Sequence, residues 1–239
     1  MGLRHGRNIQ IYINGVDLTG SLNEINPTSE QELADVSTFG NVGHCFYPGL
    51  AKDSGTITGL YTDVERAVFE GMIQISPSYA MMLAFGSAYG DPAYAINEVM
   101  LKSNSIKSVV TDINRISFGF DIDNYPFEEC KLLSQGKQTW NISQSGNTID
   151  NSSSSLIGGA AYLQIFSVST GTLTLKIISS STGIFSGEEV TTASFAAAST
   201  SGTQRIVISG TIERYCREVF FITPTTGSNC VWALALKRY

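Results

Sequence analysis

The sequence predicts a mainly β protein, with an N-terminal β-sandwich or barrel that carries one short helix and a C-terminal, jelly-roll-like β-sandwich. Two observations lead to this fold class. Short runs of alternating apolar and polar residues, bounded by turn residues, recur along the whole chain. Only one segment, residues 62–75, has the period of an amphipathic helix. Because a helix with one apolar face must bury that face, we expect it to lie across a sheet.

The strands of the first half are predicted from alternation and from turn residues. Residues 8–14 alternate, and Asn14-Gly15 at their end is the strongest short signal for a β-hairpin. Pro48-Gly49 predicts a turn before a strand at residues 56–61. Residues 113–123 alternate most regularly and are predicted to close the first domain.

The helix prediction depends on its cap and on its apolar face. Thr62 and Glu65 have the spacing of a capping box, in which each side chain satisfies a backbone N–H of the first turn. The apolar residues on one side of this helix are Val64, Ala67, Val68, Met72 and Ile75.

Composition predicts where the domains divide. Residues 1–137 form the first domain in this interpretation, and residues 138–159 form a linker or long surface loop because they are rich in Ser, Asn and Gly. Residues 160–239 then contain about six short strands separated by turns, at the spacing of about eight to twelve residues that is typical of a β-sandwich. We see no helical periodicity in this second half.

Charge and hydropathy exclude several classes of partner. Residues 1–136 carry 8 Lys and Arg against 16 Asp and Glu, whereas phosphate binding needs clustered cations. We therefore expect no sequence-specific binding of nucleic acid. Since no run of eighteen apolar residues occurs, we expect no membrane partner, and the amino end lacks the apolar core of a secretion signal. The product is expected to stay in the cell that makes it.

The cysteines and acidic residues do not predict a metal site. Cys45, Cys130, Cys216 and Cys230 lie far apart, so we expect buried free thiols, with a Cys216–Cys230 bridge as the alternative. Three aspartates are the other candidate metal ligands. They could ligate Ca²⁺, or they could simply form a polar strand face and its turn. These aspartates are Asp112, Asp121 and Asp123.

We predict no enzyme, no catalytic residues, no cofactor and no bound metal. The sequence has two histidines, His5 and His44, and lacks the common nucleophile, zinc, dinucleotide and phosphate-loop motifs. A catalytic group would have to be assembled from distant loops.

One patch in the second half is a candidate site for glycans. Aromatic rings can stack on the apolar face of a sugar while arginines donate hydrogen bonds, although strand aromatics more often belong to a core. The candidate residues are Arg214, Tyr215, Arg217 and Trp232.

Several motifs together resemble the tail tube proteins of tailed bacteriophages. The stretch DVSTFG at residues 35–40 precedes a glycine loop, then YPGLAKDSGTITGLYTD at residues 47–63, the predicted helix, and strands that end in NRISFGFDID. The resemblance covers about residues 6–136. One departure is an inserted residue in the turn at residues 47–50, after which Ala51 and Lys52 precede Asp53. The second half resembles the β-sandwich that is appended to a number of phage virion proteins.

The resemblance implies a virion structural protein that assembles in the host cytoplasm. As a tail tube subunit it would form stacked rings, expected to be hexameric, around the DNA channel. The alternative is a capsid decoration or cement protein that sits as a trimer on the phage head, with the sandwich binding host surface glycans. In both cases the partners are copies of the chain and other virion proteins.

Overall fold

A computed structural model describes residues 9–38, 40, 42–61, 79–108, 113–122, 126–223 and 228–239. The described residues form a mainly β fold, which confirms the predicted class. The predicted helix at residues 62–75 lies outside the described residues. In chain order the strands are β1 (Gln10–Ile13), β2 (Val16–Asp17), β3 (Leu22–Asp35), β4 (Phe46–Leu60), β5 (Tyr79–Ala84), β6 (Pro92–Lys107), β7 (Arg115–Ile122), β8 (Glu128–Leu132), β9 (Gln138–Trp140), β10 (Gln144–Ser145), β11 (Ile149–Asp150), β12 (Gly159–Val168), β13 (Thr172–Ser180), β14 (Val190–Ser194), β15 (Gly202–Ile208), β16 (Tyr215–Thr223) and β17 (Cys230–Arg238).

The chain folds into two compact units that are not consecutive in sequence. The larger unit consists of Met1–Gly20, Ala80–Asn97 and Glu128–Tyr239, and the smaller unit of Ser21–Tyr79 and Glu98–Phe127. This division differs from the split near residue 138 that composition predicts. The physical reason is strand pairing, because β1 pairs with β5, and β8 pairs with β17 near the end of the chain.

The predicted linker at residues 138–159 is also corrected by the structure. Its residues contribute three short strands, of which β9 pairs with β17 while β10 and β11 pair with β16. Polar residues can occupy such short edge strands because their backbone groups, rather than their side chains, make the ladder. The Ser- and Asn-rich composition therefore concealed strands that are part of both sheets of the larger unit.

The smaller unit contains one antiparallel sheet in the order β3-β4-β7-β6, with the last strand contributing Val99–Lys107. One face of its central strands is buried and includes Ile57, Phe118 and Phe120. Gly55 is required beside this face, because a Cβ atom there would lie 2.6 Å from Cζ of Phe120. The sheet thus has a packed centre.

Strand β4 runs without a break from Phe46 to Leu60, so the turn predicted at Pro48-Gly49 is wrong. Pairing with β3 continues past this dipeptide, where Leu33 is opposite Pro48. A register shift between Gln31 and Leu33 accommodates the irregularity. Proline and glycine are tolerated here because edge strands and bulges do not need every ladder hydrogen bond.

The larger unit contains two antiparallel sheets. The first has the order β15-β12-β17-β8-β6-β5-β1-β2, with β9 also paired to β17. The second has the order β10-β16-β13-β14, with β11 also paired to β16. Strands β12 and β17 are buried on both faces, so they read as continuous apolar runs rather than as alternating strands.

Two cores lie on opposite faces of β12 and β17. The core of the sandwich includes Leu163, Phe220 and Trp232, and its aromatic rings pack with centroids 4.6 Å apart between Phe220 and Trp232. The other core includes Tyr12 and Tyr162 together with several alanines. Burial on this scale provides the main stabilising free energy of the unit.

The hairpin predicted at Asn14-Gly15 is confirmed. Both residues have positive φ, 48° and 77°, as a two-residue turn of this hand requires. The N–H of Gly15 donates a hydrogen bond to Oε1 of Gln164 at 2.8 Å. A Cβ atom on Gly15 would lie 2.5 Å from the carbonyl oxygen of Ile165, so only glycine fits this close approach.

The four cysteines are free thiols. Cys130, Cys216 and Cys230 are buried as predicted, and no bridge joins the last two. Burial raises the pKa of Cys216 to about 11, which keeps this thiol neutral and unreactive. Cys45 is exposed, contrary to prediction, because it lies on a projecting hairpin.

In the described part of the chain, no helix has the length and apolar character needed to cross a membrane.

Candidate assembly surface

The outer half of the β3–β4 hairpin forms an arm, defined here as residues 30–35 and 46–52. Pairing of β4 with β7 is confined to Ser54–Leu60, so the arm is a two-stranded ribbon. Every residue of the arm is exposed. Because an isolated two-stranded ribbon is marginally stable in water, an arm of this length gains stability from a surface that covers it.

The arm exposes four large apolar residues, Leu33, Phe46, Pro48 and Leu50, which we call the apolar strip. Leu33 is opposite Pro48, and alternate side chains of a strand share a face, so Leu33, Pro48 and Phe46 lie on one face together with Asp35. Leu50 follows the register shift, beyond which alternation no longer assigns it to that face. Leu33, Phe46 and Leu50 are 60%, 56% and 81% exposed. Large apolar side chains grouped on an exposed arm are characteristic of an interaction surface.

Hydrogen bonds order the arm near its tip. The carboxylate of Asp35 accepts hydrogen bonds from Ser37, and its Oδ2 lies 2.9 Å from Nδ1 of His44. The hydrogen bonds from Ser37, followed by the one with His44, lower the pKa of Asp35. The N–H of Cys45 donates to Oγ of Ser37 at 2.8 Å. His44 therefore has a structural partner, and the arm keeps a defined shape close to its turn.

Both edges of the sheet in the smaller unit are open within the described residues. Among the residues that the structure describes, β3 pairs with β4, and Val99–Lys107 of β6 pair with β7. Most of these edge residues are exposed. An open edge presents unpaired N–H and C=O groups that can extend a sheet into another chain.

One face of this sheet is rich in hydroxyl and amide groups. Thr58 is opposite Glu24 in one strand pair and Ser117 in the next, so these three side chains share the face. The Thr58 hydroxyl donates to Oε2 of Glu24 at 3.2 Å, and the Asn26 amide donates to Oε1 of Glu24 at 2.9 Å. The same face also carries Lys107 opposite Arg115, and Lys102 paired with Asp121, so it combines small polar groups with charges of both signs.

The described residues do not form the alternative calcium site of aspartates. Asp121 lies 3.3 Å from the ammonium group of Lys102, which gives its carboxylate a cationic partner. Asp112 and Asp123 lie outside the described residues. No group of three metal-ligating side chains occurs among the described residues.

Asp53, part of the predicted family motif, is a buried carboxylate in β4. Its Oδ2 accepts a hydrogen bond from the N–H of Phe127 at 2.8 Å. This bond fastens the end of the smaller unit's chain to the sheet at the base of the arm. Asp53 therefore has a structural role in the smaller unit.

The glycan candidates are separated by burial. Trp232 is 0% exposed in the sandwich core, where it has no surface to offer a sugar ring. Its selection from sequence fails because β17 is buried on both faces, and Trp232 belongs to the core on one of them. Arg214 forms two hydrogen bonds of 2.7 Å with Asp150 and lies over the ring of Tyr215. Arg217 lies over the ring of Phe185. Glycan binding by these three accessible residues stays a prediction.

The apolar strip was missed from sequence. Its signal is the alternate placement of Phe46, Pro48 and Leu50, which the interpretation of Pro48-Gly49 as a turn concealed. The pairing of Leu33 with Pro48 is what reveals that both strands contribute to one face.

No protein-family model and no curated protein matches the sequence. Among solved structures, the crystal structure of the Dit (gp 19.1) protein of phage SPP1, described as a hub of the adsorption apparatus, is 8% identical with a TM-score of 0.40, covering 97% of this chain and 99% of that one. The tail tube protein of SPP1 is 14% identical with a TM-score of 0.41 and covers 54% of this chain and 78% of that one. A chain from the sixfold-symmetric tail of an empty gene transfer agent particle is 14% identical with a TM-score of 0.40, covering 52% of this chain and 96% of that one.

Proposed function

We propose that this protein is a phage virion structural protein, a subunit of the tail tube type that assembles through its smaller unit into closed rings around the DNA channel. The observation that carries the proposal is the four-stranded sheet, whose two edge strands are open among the described residues, together with its projecting arm. The motifs at residues 35–63 that resemble tail tube proteins lie in the same unit, which supports the proposal independently.

The strand directions favour a ring. In the order β3-β4-β7-β6 each strand is antiparallel to its neighbour, so the two edge strands run in opposite directions. Strand β3 of one copy could therefore pair with β6 of the next copy and preserve the antiparallel pattern. Such a contact joins two different surfaces, and repeated contacts of this kind close into a ring when the rotation between copies permits. Rings would also satisfy the exposed backbone groups of both edges.

The arm supplies the apolar part of the contact in this proposal. Covering a large apolar side chain contributes about 1.5–3 kcal/mol when its burial is complete. Leu33, Phe46 and Leu50 would thus stabilise assembly by several times the thermal energy at each contact. The arm would reach a neighbouring copy while the edge strands pair.

The polar face of the sheet suits the inner wall of a channel. Hydroxyl groups such as those of Thr58 and Ser117 do not hold phosphates tightly, and the cations of this face stand with the carboxylates of Glu24 and Asp121, whereas tight phosphate binding requires clustered cations. DNA could therefore move along this wall without being held. A virion location and partnership with other virion proteins follow from this proposal.

Electron microscopy of the purified protein tests the proposal. We expect rings or tubes with sixfold symmetry, and loss of these assemblies when the apolar strip is made polar. Trimers bound to capsids, without rings, would contradict the proposal and establish the decoration alternative. A chain that remains monomeric at high concentration and catalyses a reaction would contradict both.

A further inference from the structure

The larger unit contains a pocket of about 570 Å³ beside the core of the sandwich. Leu236 belongs both to that core and to the lining of the pocket. Three adjacent strands form its floor, because Lys131 of β8 is opposite Pro92 of β6 on one side and opposite Leu236 of β17 on the other. The volume is within the range of about 300–1,000 Å³ that is usual for small-molecule sites.

Aromatic and aliphatic groups form one wall of the pocket. The rings of Phe85 and Tyr94 pack edge to face, with centroids 5.4 Å apart and an angle of 89° between their planes. Pro92 and Leu236 add aliphatic surface. An aromatic ring in such a wall can contact the C–H face of a pyranose ring, which is itself apolar.

Charged groups occupy other positions in the lining. Lys131 is exposed, and Arg238 donates a hydrogen bond to the carbonyl oxygen of Ser153. Glu129 is the acidic residue of the lining, and it accepts a hydrogen bond from the hydroxyl of Tyr94 at 3.4 Å. Cys130 adds no charge, because burial raises the pKa of its thiol. The lining therefore has two cations against one carboxylate.

We infer that this pocket binds an acidic saccharide, with a pyranose ring against Tyr94 and the ligand's carboxylate at Lys131 and Arg238. The aromatic wall selects for the ring and the excess positive charge selects for the acid. Asn151 lines the same pocket; its Nδ2 donates one hydrogen bond to the carbonyl oxygen of Arg214 at 3.2 Å and has a second N–H for a sugar hydroxyl. This site differs from the patch at Arg214, Tyr215 and Arg217, and it does not depend on the proposed role in assembly.

Isothermal titration calorimetry with the full chain tests the inference. The probes are a galacturonic acid trisaccharide, the neutral maltotriose, and a glycerol phosphate oligomer of similar length. We expect the galacturonic acid trisaccharide to bind at least about tenfold more tightly than maltotriose, since a charged hydrogen bond is worth roughly that factor. Equal binding of the neutral sugar, no binding at millimolar concentration, or preference for the phosphate oligomer would each overturn the assignment.

Two substitutions with opposite expected effects connect binding to this pocket. Lys131→Met should weaken binding of the galacturonic acid trisaccharide about tenfold, because it removes the exposed cation. Glu129→Gln should strengthen binding severalfold, because it removes a carboxylate that repels the ligand's own. Lys176→Met is the matched control, since Lys176 lies in β13 of the other sheet and should leave affinity unchanged. Thermal unfolding should first show that both variants are folded. Equal affinity of the Lys131 and Lys176 variants would then overturn the inference.

Discussion

The indole N–H of Trp232 donates a hydrogen bond to Oε2 of Glu218 at 3.0 Å, and both residues are completely buried in the sandwich core. The second oxygen of this carboxyl group, Oε1, has no hydrogen-bond partner among the described residues. Desolvation raises the pKa of Glu218 to about 8, although the bond from Trp232 opposes the shift. The carboxyl group of Glu218, inside an apolar core, thus titrates near pH 8.

We predict that the stability of the protein falls as pH rises from about 4.5 to about 8. A carboxyl group whose pKa is higher in the folded chain than in the unfolded chain binds more protons when folded, so protonation favours folding. Glu218 meets this condition, since the ordinary pKa of a glutamate carboxyl group is 4.5. Glu218→Gln should remove this dependence and unfold at a higher temperature than the natural chain at pH 8.5. The measurement is thermal unfolding of both proteins between pH 4.5 and 9.

Tyr89 provides a check on that assignment. Burial, and then the nearby charge of Glu218, raise the pKa of Tyr89. Its hydroxyl therefore stays neutral across the range and does not contribute to the pH dependence. Parallel stability curves for the natural chain and Glu218→Gln would contradict the role of Glu218.

Gly15→Ala should destabilise the protein by about 1–3 kcal/mol from strain at a special backbone position, plus the cost of a steric clash. The new Cβ atom would collide with the carbonyl oxygen of Ile165, and the positive φ is unfavourable for alanine. Gly187→Ala is the control, because Gly187 has φ +86° with nothing within 4 Å of its Cβ position. The control should cost only about 1–2 kcal/mol. Urea unfolding measures both, and equal losses would show that the close approach to Ile165 is unimportant.

Replacing Leu33 and Leu50 together by serine should abolish assembly without unfolding the chain. Both side chains are exposed in the single subunit, so their loss removes little internal packing. Sedimentation velocity should show a shift from large assemblies to single subunits. The matched control replaces Leu156 and Ile157 by serine, since these residues are 76% and 73% exposed on the larger unit. Equal loss of assembly in both double variants would contradict a specific role of the apolar strip.

Alkylation of Cys45 should report on burial of the arm. This thiol is exposed near the tip, whereas Cys130, Cys216 and Cys230 are buried. We expect one thiol to react with a maleimide in single subunits and the reaction to slow by at least about tenfold on assembly. Mass spectrometry counts the modified thiols, and Cys45→Ser is the blank. Unchanged reactivity in assemblies would show that the arm remains uncovered there.

Sequence patterns predicted those features that depend on neighbouring residues. The Asn14-Gly15 turn could be predicted because backbone conformation at two positions decides it. The short strands at residues 138–150 could not, because backbone pairing with β16 and β17 holds them and their side chains carry no alternating pattern. Trp232 was misassigned for a related reason, since β17 is buried on both faces and shows no polar alternation.

The assembly surface was only partly predictable. Exposed edges and a role in assembly could be expected from a β-rich chain without site motifs. The apolar strip depends on the register between Leu33 and Pro48, which follows from tertiary pairing across a bulge. The saccharide pocket likewise combines strands distant in sequence, from Phe85 to Arg238, and no local motif marks it.

Each of the two units is built from segments that are not consecutive in sequence, and this limits which truncations of the gene can yield a folded protein. Removing everything after residue 137 would delete β12 and β17, and with them most of the interior of the larger unit. Expressing residues 160–239 alone would leave Tyr162 without the packing of Tyr12 from the opposite end of the polypeptide. Excision of residues 21–79 and 98–127, with short glycine bridges in their place, is the deletion that should yield a soluble remnant.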